Sequence, residues 1–119
     1  MADEEGALAA TLTRFCQACN DNQRLRQMNR DWNRLVEIRA EDQATGGRVQ
    51  LRYADGQVEL AASESEPDLI VEAPASTLIA IFSGAMTPTE PYMDGSLRVR
   101  GSQDDMMRLD IISLLIWGE

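Results

Sequence analysis

The sequence predicts an α+β domain built on one mostly antiparallel sheet, and three observations lead to this prediction. Apolar residues at helical spacing lie near the N-terminus, and three period-two segments follow them. A strongly apolar helix is predicted near the C-terminus. The 119 residues are expected to form a single domain over residues 1–119, since no linker or internal repeat divides them.

The N-terminal helix is predicted from one apolar stripe, and a turn signal ends it. Asn20-Asp21-Asn22 is that turn, and a short polar helix is predicted around Gln23 to Met28. The stripe consists of Leu8, Leu12, Phe15, Cys16 and Cys19. Residues at this spacing lie on one side of a helix, so the stripe is expected to pack on the core.

Three alternating segments predict a meander of strands, with turns at Gly46-Gly47 and at Asp55-Gly56. The apolar residues of the first strand are Val36, Ile38 and Ala40, and Glu37 and Arg39 alternate with them. In the next two strands we expect one face to pack on helices and the other to meet solvent. The inward residues are Val49, Leu51, Val58 and Leu60, and the outward ones are Arg48, Arg52 and Glu59.

Two further strands and two further helices complete the prediction of a five-stranded sheet covered by helices. An apolar strand over residues 69–71 precedes a helix from Ala75 to Ser83, and residues 87–91 are expected to form a turn or a single helical turn. The fifth strand covers residues 96–100. Ser102 and Asp105 have the spacing of a capping box for a final helix that runs to about Ile116.

The charged residues exclude several classes of function. The chain carries a formal net charge of −9, and it contains neither histidine nor lysine. This acidity disfavours nucleic acids and anionic membranes. The missing residues remove the common general base, Schiff-base chemistry and the common zinc ligand. We therefore expect a protein that is not an enzyme and has no catalytic residues, no metal and no cofactor.

The location of the protein is predicted from the absence of a targeting pattern. The first residues are acidic and resemble no signal peptide. The longest nearly unbroken apolar run, Ile111 to Trp117, is too short to cross a bilayer. A cytoplasmic protein without stable membrane insertion is expected, and its two cysteines are then free thiols.

The cysteines and carboxylates admit both structural and chemical interpretations. Cys16 and Cys19 match C-x-x-C, but they lie well inside the predicted helix rather than at its N-terminus, where a redox pair is activated. Core packing is the favoured interpretation, and a redox or metal site is the alternative. The acidic pairs Glu64/Glu66 and Asp104/Asp105 are attributed to solvation and helix capping.

The C-terminal helix carries more apolar surface than one sheet can cover. Met106, Leu109, Ile112 and Ile116 form one stripe, and Met107, Ile111, Leu114 and Leu115 form a second. A neighbouring helix, a second subunit or an apolar ligand could cover the second stripe. Methionines in this part of the chain suit the adaptable wall of a ligand site, although methionine also fills irregular gaps in a core.

From about Asp68 to Leu115 the chain resembles the sterol carrier protein 2 (SCP2) sterol-binding domain. The resemblance rests on the segments 78–86, Thr87-Pro88, Tyr92-Met93-Asp94-Gly95, 97–101 and Met107-Arg108-Leu109. The family typically has an apolar helix that ends in Ser/Thr-Gly-Lys, and this chain has Ala85 at the lysine position. The resemblance implies a five-stranded sheet covered by helices that enclose an apolar tunnel.

The resemblance also implies a function and a set of contact residues. Family members bind sterols, fatty acyl chains or other lipids without covalent chemistry. Tyr92 and Ser113 would orient a head group. The implied tunnel wall consists of Leu78, Phe82, Met86, Tyr92, Met93, Met106, Leu109, Ile112 and Ser113.

Two functional hypotheses therefore follow from the sequence. The first is a non-catalytic protein that binds or transfers an apolar ligand in an internal tunnel. The second is a structural or dimerising accessory subunit, which would form a homodimer through its apolar C-terminal helix. Bound lipid on a monomer would support the first hypothesis, and an empty obligate dimer would support the second.

Overall fold

The computed structural model describes residues 3–41, 48–61 and 66–117, with side chains described for residues 7–41, 48–61 and 66–112. The helices are α1 (Asp3–Asp21), α2 (Gln23–Met28), α3 (Ala75–Phe82), α4 (Thr89–Asp94) and α5 (Gln103–Trp117). The strands are β1 (Arg34–Ala40), β2 (Arg48–Ala54), β3 (Gln57–Ala61), β4 (Leu69–Ala73) and β5 (Arg98–Arg100). The order of helices and strands agrees with the prediction from sequence.

The five strands form one sheet in the order β3-β2-β1-β4-β5. The neighbours β3–β2, β2–β1 and β4–β5 are antiparallel, and β1–β4 is parallel. Central strand β1 therefore has the predicted meander on one side and the later pair of strands on the other. The predicted α+β class with a mostly antiparallel, five-stranded sheet is confirmed.

Helices α1 and α3 pack together over one face of the sheet. All five residues of the predicted α1 stripe are buried, and Phe15 contacts Phe82 of α3 edge to face with ring centroids 4.9 Å apart. Cys16 and Cys19 are free thiols within this core. Their place on the buried stripe agrees with the interpretation that both cysteines are packing residues.

The end of α1 is bound to the edge strand of the sheet. The Asn20 side chain donates from Nδ2 to the carbonyl of Val58 and accepts from the amide of Val58, each at 2.9 Å. Leu60, two residues further along, is paired with the buried Leu51 and so lies on the predicted helix-covered face. It is nevertheless 38% exposed, because β3 is an edge strand and has a neighbour on one side only.

The opposite face of the sheet is polar, and one carboxylate on it, that of Glu37, is buried. Glu37 is only 3% exposed, because strands flank β1 on both sides. Its carboxylate accepts from Arg39 at 2.6 Å and from Gln50 at 3.2 Å. These partners satisfy a buried charge that would otherwise be strongly unfavourable.

Two glycines allow close approaches that position α2 and α5. Asp55-Gly56 forms the predicted hairpin turn in the left-handed region, and a Cβ at Gly56 would lie 2.5 Å from the carbonyl oxygen of Arg26. At Gly101, before α5, a Cβ would lie 2.4 Å from Cδ2 of Leu69. The other predicted turn, Gly46-Gly47, lies outside the described residues, as does Glu64.

Helix α5 begins with a polar cluster, which we call the Asp105 anchor: Trp32, Arg34 and Asp105. The predicted cap is present, since the Asp105 amide donates to Oγ of Ser102 at 3.1 Å. The Asp105 carboxylate accepts from Nε1 of Trp32 at 2.9 Å and from Nε of Arg34 at 3.0 Å. Asp105 is therefore buried in a tertiary contact, and the expectation that solvation and capping alone explain it is wrong.

A second contact holds the next turn of α5 against α2. Arg108 donates from one terminal nitrogen to the carbonyl of Met28 and to Oδ1 of Asn29, each at 3.1 Å. The guanidinium also lies 5.4 Å from the centre of the Trp32 ring, within the range of a cation–π contact. Together with the Asp105 anchor, Arg108 fixes α5 beside the start of β1.

Buried cysteines are expected to resist alkylation. Burial raises the pKa of Cys16 to about 11 and that of Cys19 to about 12, so little reactive thiolate forms near neutral pH. We predict that iodoacetamide at pH 8 labels both thiols rapidly in urea but neither in the native protein, as followed by mass spectrometry. Rapid stoichiometric labelling of the native protein would contradict the assignment to the core.

The Asp105 anchor is expected to make stability dependent on pH. Burial would raise the pKa of Asp105, but hydrogen bonds from Trp32, Arg34 and Ser102 and the Arg34 charge together lower it below its usual value. A lowered carboxyl pKa contributes stability above the unfolded value of about 4, and this contribution is lost as the pH falls through the folded value.

We therefore predict that Asp105→Asn lowers the free energy of unfolding by about 2 kcal/mol at pH 7 in urea titrations. The difference from wild type should shrink below about pH 4, where the wild-type carboxylate becomes protonated. Asp104→Asn is the matched control, because Asp104 is exposed one position earlier on α5. Equal losses in the two variants would show that the anchor contributes nothing specific.

Candidate functional site

A pocket of about 460 Å³ lies between the β4–β5 end of the sheet and helix α5. We call it the α5 pocket. Helix α3 and the segment that contains α4 close its remaining sides. Its lining consists of Val71, Ile81, Phe82, Pro88, Thr89, Tyr92, Leu97, Val99, Gln103, Met106, Met107, Leu109 and Asp110.

The inner wall of the α5 pocket is apolar. Val71 of β4 and Val99 of β5 are paired across the two strands, so both side chains lie on the face covered by the helices. Leu97 and Phe82 are buried beside them. Phe82 also contacts Phe15 of α1, so its ring is both core and pocket wall. The strands and α3 therefore form a floor that offers carbon atoms to a ligand.

Helix α5 forms the opposite wall of the pocket. Met106, Met107 and Asp110 follow Gln103 by three, four and seven positions, so all four residues share one side of the helix. Leu109 lies beside them and is partly buried against the core. The Asp105 anchor lies on another side of α5, so it positions this wall without entering the pocket.

The rim of the α5 pocket is more polar and more exposed than its floor. Tyr92 is 58% exposed and Met107 is 55% exposed. Thr89, Gln103 and Asp110 add a hydroxyl, an amide and a carboxylate to the rim. An apolar interior of this size with a few polar groups is typical of small-molecule sites, which measure about 300–1,000 Å³.

The structure brings together part of the set of contact residues that the resemblance implied. Phe82, Tyr92, Met106 and Leu109 line the α5 pocket. Leu78 and Ile112 are fully buried in the core and are absent from the lining. Met86 and Met93 are exposed outside the pocket, and Met93 is 80% exposed. The Ser113 side chain lies outside the described residues.

Several lining residues were not identified from the sequence. The floor residue Val99 carries a signal that could have identified it, since it belongs to the apolar face of an alternating strand, whereas Val71 lies in a continuous apolar run. Gln103 and Asp110 share helical spacing with Met106, and Met107 belongs to the second stripe, for which a ligand was one of three possible partners. Thr89 and Pro88 carry no comparable pattern, because they lie where the chain enters a short helix whose direction depends on packing.

The remaining candidates for chemistry are the cysteines and the carboxylates. Within residues 7–41, 48–61 and 66–112, whose side chains the structure describes, no group of three or more cysteine, aspartate and glutamate side chains could hold a metal ion. The cysteines have raised pKa values and lie in the core rather than in the pocket lining. In the same ranges no helix is long and apolar enough to span a membrane.

Comparison with solved structures shows that the fold is shared with SCP2 proteins. A conserved hypothetical protein of Thermus thermophilus, described as a candidate sterol carrier protein, is 18% identical with a TM-score of 0.63 over 90% of this chain and 81% of that one. The SCP2 ubiquinone synthesis protein UbiJ is 17% identical with a TM-score of 0.67, over 91% and 89%. Palmitated SCP2L2 of Aedes aegypti is 14% identical with a TM-score of 0.63, over 87% and 90%.

Comparison with sequence families identifies the chain more directly than these distant structural similarities. A search of curated proteins finds no match. The profile of the SCP-2 sterol transfer family, however, matches residues 12–112. This match extends the resemblance seen in the second half of the sequence into α1, and the chain therefore belongs to the SCP-2 sterol transfer family.

Proposed function

We propose that the chain binds or transfers an apolar ligand in the α5 pocket: a sterol, a fatty acyl chain or another lipid. Its family is one of sterol and lipid binding or transfer. The observation that carries the proposal for this chain is the division of the pocket into an apolar floor and a polar rim. An amphipathic ligand fits this division with its hydrocarbon part inward and its polar end at the rim.

The proposed binding energy comes from burial of hydrocarbon. Each methylene group removed from water contributes about 0.8 kcal/mol, so a ligand gains affinity with the length that enters the pocket. Met106 and Met107 supply flexible thioether side chains that adapt to ligand shape. Tyr92 and Thr89 at the rim can hydrogen-bond a polar end, which selects the orientation of the ligand.

The proposed contact residues combine the sequence prediction and the pocket. Phe82, Tyr92, Met106 and Leu109 belong to both sets. We add the floor residues Val71, Leu97 and Val99, and we retain Ser113 from the resemblance. The burial of Leu78 and Ile112 favours a role in the core that supports the pocket.

The proposal is for binding without catalysis in the cytoplasm. The chain has no histidine or lysine to act as base or nucleophile, and burial raises the pKa of both thiols. The ligand is therefore proposed to enter and leave unchanged, as cargo or as a sequestered substrate for another protein.

One observation favours a second function, a homodimeric accessory subunit. Met107 is 55% exposed and Ile111 is 40% exposed on α5. Large apolar side chains that are neighbours on a helix surface are typical of protein interfaces. In this alternative, two copies would cover each other's α5, and the α5 pocket would be part of the interface rather than a ligand site.

A charge in the pocket tests the lead proposal. Met106→Asp should weaken binding of the neutral fluorescent probe N-phenylnaphthylamine on the order of a hundredfold, because an unpaired carboxylate in an apolar site is strongly unfavourable. Met93→Asp is the matched control, since Met93 is exposed outside the pocket, and its affinity should remain within about twofold of wild type. Fluorescence titration gives the affinities, and circular dichroism verifies folding.

Light scattering on the same samples separates the two functions. The lead proposal predicts that Ile111→Asp leaves both mass and probe affinity unchanged. A wild-type dimer that binds no probe and dissociates in Ile111→Asp would instead support the accessory subunit and contradict the ligand-binding proposal.

A further inference from the structure

We propose that Asp110 makes the α5 pocket selective for ligands whose polar end donates a hydrogen bond and carries no negative charge. Alcohols and amines belong to this class, whereas ionised fatty acids and phosphate esters do not. This inference rests on the proposed function, and it names the head-group chemistry that the pocket would accept.

Asp110 is the one charged residue in the lining of the pocket, as far as the described residues define it. It lies on the same side of α5 as Gln103 and Met107, at the rim. Its carboxylate forms no hydrogen bond or ion pair with another side chain in the described part of the chain. A ligand at the rim would therefore meet an ionised acceptor that has no partner there.

The arginines of the surrounding elements are bound elsewhere and cannot offset this charge. Arg98 pairs with Glu41 and Glu72, and Arg100 also pairs with Glu72. These glutamates lie away from the pocket, since neither belongs to its lining. Arg108 of α5 is bound to α2 and Trp32. The helices α3 and α4 and the strand β4 contain no arginine.

The resulting electrostatic field favours one kind of polar end. A ligand carboxylate or phosphate at the rim would be repelled by Asp110, and the net charge of −9 adds to this repulsion. A hydroxyl or ammonium group would instead donate a hydrogen bond to the Asp110 carboxylate. Thr89 and Gln103 can complete the contacts of such a group, because both offer donors and acceptors.

Three unbranched ligands of ten carbons each isolate the effect of the polar end: decanol, decylamine and decanoate. Their affinities are measured at pH 7.5 and low salt by displacement of N-phenylnaphthylamine. Asp110→Asn should raise the affinity for decanoate by about two- to fivefold and lower that for decylamine by a similar factor. The affinity for decanol should fall by a smaller factor than that for decylamine, since asparagine keeps an acceptor oxygen but loses the charge that strengthens the hydrogen bond.

The matched control is Asp104→Asn, which makes the same charge change on α5 outside the pocket lining. Asp104→Asn should change each of the three affinities by no more than about a third as much as Asp110→Asn does. Added salt should reduce the changes that Asp110→Asn causes. Opposite shifts for amine and carboxylate separate electrostatic selection from structural damage, which would weaken both ligands together.

The outcomes separate this inference from the function on which it rests. If decanol binds wild type but Asp110→Asn moves decanoate and decylamine in the same direction, or moves neither, the selectivity of Asp110 is refuted and the ligand-binding function stands. If none of the three ligands displaces the probe from wild type, the proposed function fails, and this inference fails with it.

Discussion

The contact between the buried carboxylate of Asp105 and the side chains of Trp32 and Arg34 holds the C-terminal helix in place. Its hydrogen bonds of 2.9 and 3.0 Å join the first turn of α5 to the segment that enters β1. Burying a charged group is costly, and these hydrogen bonds offset that cost while they fix the orientation of α5. These polar contacts position α5 from one side of the helix, and Met106 and Met107 on another side line the α5 pocket.

The sheet determines where such a pocket can form. Its two faces differ sharply, because charged residues of β1, β4 and β5 pair with each other on one face while apolar residues occupy the other. Helix α1 is bound at the β3 edge through Asn20, and α3 packs against α1 through Phe15 and Phe82. At the opposite edge of the sheet, formed by β4 and β5, helix α5 lies over the apolar face. The α5 pocket is the space between this helix and the two strands.

Local patterns in the sequence predicted most of the fold. The alternation in β1 to β3 and the stripe of α1 each arise because one face of the element is buried. The spacing of the apolar residues therefore indicates both the type of element and its buried face. The alternation does not give the degree of burial, which also depends on distant neighbours. Glu37 is buried because strands flank it on both sides, and Leu60 is partly exposed on the helix-covered face because β3 has a neighbouring strand on one side only.

The candidate site was less predictable from the sequence for a related reason. Leu78 and Ile112 are apolar residues of apolar helices, and no pattern distinguishes a core side chain from a pocket wall. Asp105 was assigned to capping because an aspartate in a first turn commonly serves that purpose, whereas its partner Trp32 lies 73 residues away. The resemblance placed Phe82 and Met106 in one site, and only the position of α5 across the pocket from β5 added Val99 and Asp110.

Methyl spectra of the methionines test most directly whether an apolar ligand occupies the α5 pocket. Protein labelled with carbon-13 at the methionine methyl groups is titrated with decanol, and the signals are assigned by single Met→Leu variants. Occupation of the pocket predicts saturable shifts at Met106 and Met107, with Met28 and Met93 unmoved, since neither lines the pocket. Saturable shifts confined to Met28 or Met93, or no shift at Met106 and Met107 at saturating decanol, would contradict the account.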